Sequence, residues 1–370
     1  MTPDFAPDIL ALFAARGAAT VDLPVIQPAD PFLDIAGEDL RRRIFLTESE
    51  TGESLCLRPE FTIPVCLGHI QANAATPRRY SYLGEVFRQR RDGASEFYQA
   101  GIEDLGDPVT AEADARSVAD AYELLAKCLP EQALVVTLGD QTVFEAVLAA
   151  LGLPRGWRMR LARAFGAPDQ LTAALDELSA PSPKGQLGAD LAEAVGRGDT
   201  DTLAARIGEE MAQAGLSPSA GRTPDEIARR LIEKHELSHV RLSPEALSAL
   251  KTFLAIRVPL SGAAQALSDF AAGSGLGLGS ALSGFSARVA AIAGHGLDMH
   301  AITYDAAFGR PLDYYTGLVF EISEPGVARP LVGGGRYDRL LTLLGAAKPI
   351  PGVGFSVWLD RIEKLREARA

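Results

Sequence analysis

The chain has 370 residues, 47% of them hydrophobic, enough to bury a substantial core in one large domain or two unequal ones. A net charge of −12 argues against a large nonspecific surface for phosphate backbones. No run of about twenty uncharged apolar residues occurs, and Asp4, Asp8 and Arg16 interrupt the N-terminal stretch; no membrane span or signal peptide is expected, and the chain reads as cytoplasmic.

In chain order, Phe97 to Glu103 reads as a strand, and Glu112 to Leu129 as an amphipathic helix after the turn at Gly106-Asp107-Pro108, with Val118, Tyr122 and Leu125 on its apolar side. Val135 to Leu138 is a short buried strand. From about Gly156 to Lys251 the composition becomes alanine-rich and helical, punctuated by Pro181-Ser182-Pro183. Within it Thr223-Pro224-Asp225-Glu226 is a capping box with proline at the first helical position, and Ser243-Pro244 marks another helix start. Gly273 to Gly279 does not fit a dinucleotide fingerprint and is expected to be a flexible connection. Strands return from Ile302: Thr316 to Ile322 alternates, and Leu331 to Tyr337 reads as a glycine turn. Two β-rich parts, 1–155 and 256–370, are thus expected to flank a helical insertion over 156–255.

Cys56, Cys66 and Cys128 are too few and too scattered for a disulfide framework or metal knuckle and read as reduced core residues. His235 and His239 share an i, i+4 spacing, but no acidic partner completes a metalloprotease pattern, so no metal and no cofactor is expected.

Three segments carry polar chemistry. On a strand through Phe97 to Glu103, Gln99, Gly101 and Glu103 share one face: an amide and a carboxylate separated by a residue without a side chain. Such a face is either a polar floor for a small ligand rich in donors or a solvated surface. Arg58-Pro59-Glu60-Phe61-Thr62 and Arg310-Pro311-Leu312-Asp313-Tyr314-Tyr315 add carboxylates, hydroxyls and guanidinia. If the three converge, the set suits a zwitterionic amino acid with an imidazole: carboxylates take the ammonium, and an acid with a phenol fixes the ring nitrogens.

In the same order, Leu57 to Thr62, Phe87-Arg88, Phe97 to Glu103 and Arg310 to Gly317 resemble the amino-acid-site motifs of histidyl-tRNA synthetase. Gly333-Gly334-Gly335-Arg336-Tyr337-Asp338 and Gly352-Val353-Gly354-Phe355 through Arg361 continue the match. The resemblance implies an α+β fold, a class II aminoacyl-tRNA synthetase-like core with a mainly antiparallel sheet flanked by helices, usually dimeric. It implies that Glu60, Thr62 and Gln99 receive a histidine ammonium, that Glu103 and Tyr315 read the imidazole, and that Arg310 reaches the carboxyl end. Tyr314 and the Gly333, Gly334, Gly335 segment close the pocket. For these glycines alone, a tight turn needing positive φ is a compatible reading.

The nucleotide half departs from that family. Where the synthetase has an acid two residues after the arginine, this chain has Arg90, followed by a shorter loop through Glu96. Where it keeps a glycine three residues before its last arginine, this chain has Trp358, whose indole should fill the space of a base. Arg88 and Arg361 remain, either as a residual anion site or as structural partners of acids such as Glu85 and Asp360. Nine residues follow Arg361, too few for the anticodon-binding domain, so no tRNA binding is expected. This combination resembles the regulatory subunits of ATP phosphoribosyltransferase. It implies a non-catalytic subunit with free histidine as effector, paired with a short-form catalytic chain in a hetero-octamer, required for activity and for feedback inhibition in the first step of histidine biosynthesis. The alternative is a truncated ligase that activates histidine or another amino acid for a carrier other than tRNA, which Arg88, Arg310 and Arg361 favour.

Overall fold

The structure, a computed structural model, describes residues 2–35, 37–91, 93–179, 189–215, 223–238, 240–310, 314–327 and 329–368. The strands are β1 (Ala19–Thr20), β2 (Ile26–Pro28), β3 (Leu46–Glu48), β4 (Ser54–Leu57), β5 (Arg78–Phe87), β6 (Glu96–Leu105), β7 (Val135–Asp140), β8 (Arg257–Pro259), β9 (Ile302–Asp305), β10 (Leu318–Ser323), β11 (Val332–Arg336) and β12 (Gly352–Trp358). Among the described residues nine of them form one sheet in the order β1-β5-β6-β12-β11-β10-β7-β9-β8, and β2-β4-β3 form a second. Only β1–β5 and β7–β9 pair in parallel there; the other neighbours are antiparallel, the α+β arrangement that the motifs imply.

Period-two alternation divides the large sheet into two faces. Ala100, Ile102, Leu138, Phe320, Phe355 and Val357 point into the larger core, which the Ala6–Ala15 and Thr110–Cys128 helices cover. Tyr80, Tyr82, Val86, Phe97, Leu105 and Val319 point the other way, into a second core with Phe61, Tyr314, Tyr315, Tyr337 and Trp358. The polar floor lies on this second face, because Gln99 and Glu103 have the parity of Phe97 and Leu105.

The helical middle has two attachments. Trp157, Leu161, Leu178 and Phe253 pack into the larger core, whereas Ala194, Val195, Leu203, Ile207 and Ala228 form a small cluster of their own. The capping box forms as its sequence predicts: the Thr223 amide donates to Glu226 Oε2 at 2.9 Å and the Glu226 amide to Thr223 Oγ1 at 3.3 Å. Pro181-Ser182-Pro183 and His239 lie outside the described residues, so the i, i+4 histidine pair has no structural account; no metal-binding cluster occurs among those described. All three cysteines are buried free thiols.

Two local expectations are corrected. Gly273 and Ser274 complete the Leu260–Ser274 helix, Gly275 caps it in the left-handed conformation, and Gly279 opens the Gly279–Gly294 helix, so this segment is a helix-to-helix turn rather than a flexible connection. Leu331 to Tyr337 is not a turn: its centre is strand β11, wholly buried between β10 and β12. Glycine stands here in place of the branched residues expected of a buried strand because the Arg310 guanidinium, the Phe320 ring and the Tyr315 ring press against it.

The Thr110–Cys128 helix buries Asp114, Ser117 and Asp120 beside its apolar residues. Asp114 is answered by two arginines, from Arg288 Nε at 2.7 Å and Arg336 Nε at 2.8 Å, and Arg288 also pairs with Asp140. These bonds tie the Gly279–Gly294 helix and the end of β11 to one carboxylate. Asp114→Ala is expected to destabilise the chain by about 3–5 kcal/mol, since two buried guanidinia lose a partner; chemical denaturation measures it, and a loss under about 1 kcal/mol would show that the network is solvated.

Candidate functional site

The floor of the site consists of cross-strand rows on β5, β6 and β12. Glu103 lies between Tyr80 and Gly354, Gly101 between Tyr82 and Ser356, and Gln99 between Gly84 and Trp358. Each bulky polar side chain therefore lies next to a glycine or a small residue. A Cβ on Gly354 would overlap the Glu103 carboxylate, and one on Gly101 would overlap the Tyr82 hydroxyl. On β11, a Cβ at Gly333 would strike the Arg310 guanidinium and one at Gly335 would stand 2.8 Å from the Tyr315 ring. None of Gly333, Gly334 and Gly335 has positive φ, so close approach, not backbone conformation, requires them.

Glu103 is fully buried and receives three hydroxyls: Thr62 Oγ1 donates to Oε1 at 2.7 Å, Tyr82 Oη donates to Oε1 at 3.3 Å, and Tyr337 Oη donates to Oε2. Desolvation outweighs these donors and raises its pKa to about 8. Gln99 is equally buried, yet neither its Nε2 nor its Oε1 has a hydrogen-bond partner in the protein. An amide left unpaired in a core is costly, so its place is explained only by something that it meets there.

Glu60 lies just ahead of the Thr62–Gln71 helix. Phe61 provides no cap, and the Glu60 carboxylate does so instead, accepting the Thr62 amide at 2.6 Å and the Ile63 amide at 2.9 Å. Burial still raises its pKa. Opposite, Arg310 pairs with Glu321 and leaves its Nε unpartnered, beside the buried Tyr314 and Tyr315, whose rings are 5.0 Å apart. Pro311, Leu312 and Asp313 lie outside the described residues.

All seven side chains assigned from the motifs, Glu60, Thr62, Gln99, Glu103, Arg310, Tyr314 and Tyr315, border one cavity of about 110 Å³, as does Gly333. Drug-sized ligands occupy about 300–1,000 Å³, so this space suits something smaller. Gly334 does not border it; its Cβ direction faces the Phe320 ring and the Gly354 carbonyl.

Arg88 borders the same cavity, its Nε donating to the Pro59 carbonyl at 2.6 Å, and burial lowers its pKa to about 10. Arg361 donates to the Pro330 carbonyl and stacks 4.2 Å above Trp358. The acid pairing considered for these two goes elsewhere: Asp360 bonds Arg90 Nη1 at 3.2 Å, and Arg90 covers the Phe97 ring at 3.3 Å. Arg58 is also removed from ligand duty, because its guanidinium donates to the carbonyls of Glu85, Leu23 and Pro24 and stacks on Phe61. Sequence reasoning missed Tyr82 and Ser356 altogether and gave Tyr337 no role. Tyr82 and Ser356 become visible only when the register sets them on either side of Gly101, with 2.7 Å between their hydroxyls.

A mainly antiparallel sheet flanked by helices, with a buried polar floor on one face, is the core of a class II synthetase-like fold. The histidyl-tRNA synthetase family model matches residues 4–214 and 211–362. A solved structure described as an ATP phosphoribosyltransferase regulatory subunit/histidyl-tRNA synthetase from Bacillus halodurans superposes with a TM-score of 0.67 at 19% identity, over 97% of this chain and 77% of that one. Histidyl-tRNA synthetase from Nostoc superposes with a TM-score of 0.64 at 16% identity, over 98% and 70%. Among curated relatives, the ATP phosphoribosyltransferase regulatory subunit of Mesorhizobium japonicum is 69% identical over 99% of this chain and 98% of its own length. That of Agrobacterium fabrum is 61% identical over 98% and 97%. The chain belongs to the family of ATP phosphoribosyltransferase regulatory subunits, non-catalytic members of the histidyl-tRNA synthetase-like class.

The raised Glu103 pKa sets a pH dependence. Between about 4.5, its ordinary value, and about 8, the folded chain holds a proton that the unfolded chain has released, so stability falls as pH rises through this window. Glu103→Gln, neutral at every pH, is expected to flatten that slope; denaturation midpoints at pH 5 and pH 8.5 measure it, and parallel losses in both proteins would mean that Glu103 is ionised throughout.

Proposed function

We propose that the 110 Å³ cavity binds free histidine and that its occupancy controls a catalytic ATP phosphoribosyltransferase chain. The observation that carries this reading is the buried, unpartnered Gln99 amide beside two carboxylates. In a cavity of amino-acid size, this set matches an ammonium and an imidazole. Glu60, Thr62 and Gln99 receive the ammonium, Glu103 and Tyr315 hold the two ring nitrogens, and Arg310 takes the carboxylate through the donor that Glu321 leaves free. Arg88, near Glu60, is held back as a residual anion site with Arg361, and Tyr314 and Gly333 close the cavity.

The names of the relatives supply the partner. The chain is proposed to assemble as a homodimer with the short-form catalytic chain, as a hetero-octamer in the cytoplasm. It is required there for activity and carries feedback inhibition by histidine in the first step of histidine biosynthesis. Coupling requires only that histidine prefer one quaternary state of the complex. The division into a core of 1–155 and 256–370 with an insertion over 156–255 belongs to the same proposal. The ligase alternative loses support where Arg90 pairs with Asp360 and Trp358 is 93% buried beneath Arg361, since both occupy the half where a nucleotide would sit.

Two outcomes are expected. In reconstituted complexes, Glu103→Ala should keep basal activity while histidine inhibition moves roughly ten- to a hundredfold higher, the equivalent of about 1.5–3 kcal/mol for one lost charged hydrogen bond. An inhibition titration beside calorimetry on the isolated chain measures this, and an unchanged inhibition constant places the effector elsewhere. The isolated chain should show no histidine-dependent pyrophosphate exchange and no tight tRNA binding at physiological salt; turnover above buffer that vanishes in Arg310→Ala would restore the ligase.

A further inference from the structure

A larger cleft of about 730 Å³ opens beside the cavity, between the Arg155–Ala164 helix on one side and the Asp30–Ile35 and Leu340–Leu343 helices on the other. Arg310 and Tyr314 border both spaces, so cleft and cavity share a wall. Arg155, Arg158 and Arg163 face the cleft at helical spacing, and among the described residues no ion pair engages them; Arg158 Nε is buried without a partner. Arg160, on the other side of the same helix, is paired with Glu177. Three unpaired guanidinia on one wall of a chain with net charge −12 are a marked local excess. The opposite wall carries Asp30 and Asp34, and the margin carries Met159 and Leu343, 41% and 62% exposed.

We infer that this cleft docks an acidic polypeptide segment with an apolar anchor, contributed by the catalytic chain of the proposed complex. The inference rests on the function proposed above and names the surface through which that function is exerted. The unpaired arginines call for carboxylates, and Met159 and Leu343 call for an apolar side chain. Arginine and methionine beside apolar surface is also the composition of protein interfaces. A nucleotide or other polyphosphate fits less well, because the exposed Met159 and Leu343 call for an apolar side chain that it lacks. A segment seated here meets Arg310 and Tyr314 from one side while the cavity's ligand meets them from the other. Whatever effect the segment has on the ligand's affinity through these two residues, the ligand has on the segment's by the same factor.

The test uses the full complex. Arg155→Glu with Arg163→Glu is compared with Arg160→Glu, a control on the far side of the helix, and with Arg155→Ala with Arg163→Ala, which removes charge without reversing it. Association with the catalytic chain is followed by sedimentation at low and moderate salt. The double reversal is expected to weaken association by at least roughly tenfold and the alanine pair by less, with the control at wild-type affinity. Histidine binding by the isolated chains and their melting temperatures should stay at wild-type values, since Arg155 and Arg163 are exposed and outside the cavity. Undiminished association of the double reversal overturns the inference. So does ATP or pyrophosphate binding to the isolated chain that the double reversal abolishes, which would assign the cleft to a small anion. If the wild-type chain itself fails to associate with the catalytic chain, the proposed function falls and this inference with it.

Discussion

The register of β6 between β5 and β12 is the constraint on which the site depends. It sets Glu103 opposite Gly354 and Gln99 opposite Gly84 and Trp358, so the two polar side chains of the floor lie over or beside backbone instead of competing with other side chains. A slip by one residue would send Gln99 and Glu103 into the larger core and bring Ala100 and Ile102 to the cavity. The same register brings Tyr82 and Ser356 together across Gly101, so that Glu103 is buried with hydroxyl partners and not alone.

Charge is placed to support that geometry. Around the cavity, Glu60 is opposed by Arg88, Arg310 by Glu321, and Glu103 is held by hydroxyl groups. Behind the sheet, Asp114 fixes the end of β11 through Arg336, and that strand carries the glycines on which Arg310 and Tyr315 rest. The helix, the glycine strand and the arginine over it thus form one mechanical unit. At the end of β12 the chain pairs its own groups: Arg90 answers Asp360, and Trp358 lies beneath Arg361.

The chemistry of the three segments was legible in their residues, whereas their convergence on one cavity was left open by spacing, implied by the resemblance, and decided by the fold. Parity alone put Gln99 and Glu103 on one face, and the helix through Leu125, the capping box at Thr223 and the buried thiols followed from local rules. The glycines of β11 misled, because consecutive glycines signal a turn in isolation and only the rings and guanidinium packed on them show otherwise. Gly273 to Gly279 misled for a related reason: one glycine in the left-handed region suffices to join two rigid helices, and its neighbours suggest a flexibility that the turn does not use.

By itself, the sequence determined the fold class, the two-sided parity of the central strands and most of the side chains that meet in the cavity, because these depend on periodicity and on motifs a few residues long. Tertiary structure decided which arginines remain available and which are spent. Arg58, Arg88, Arg90 and Arg361 are equivalent as letters, and their partners are backbone carbonyls and one aspartate that strand pairing brings to them. It also decided that Tyr82, Tyr337 and Ser356 belong to the site. Hydrogen bonds act over about 3 Å, and Ser356 lies 274 residues along the chain from Tyr82, so only the assembled sheet could bring the two together.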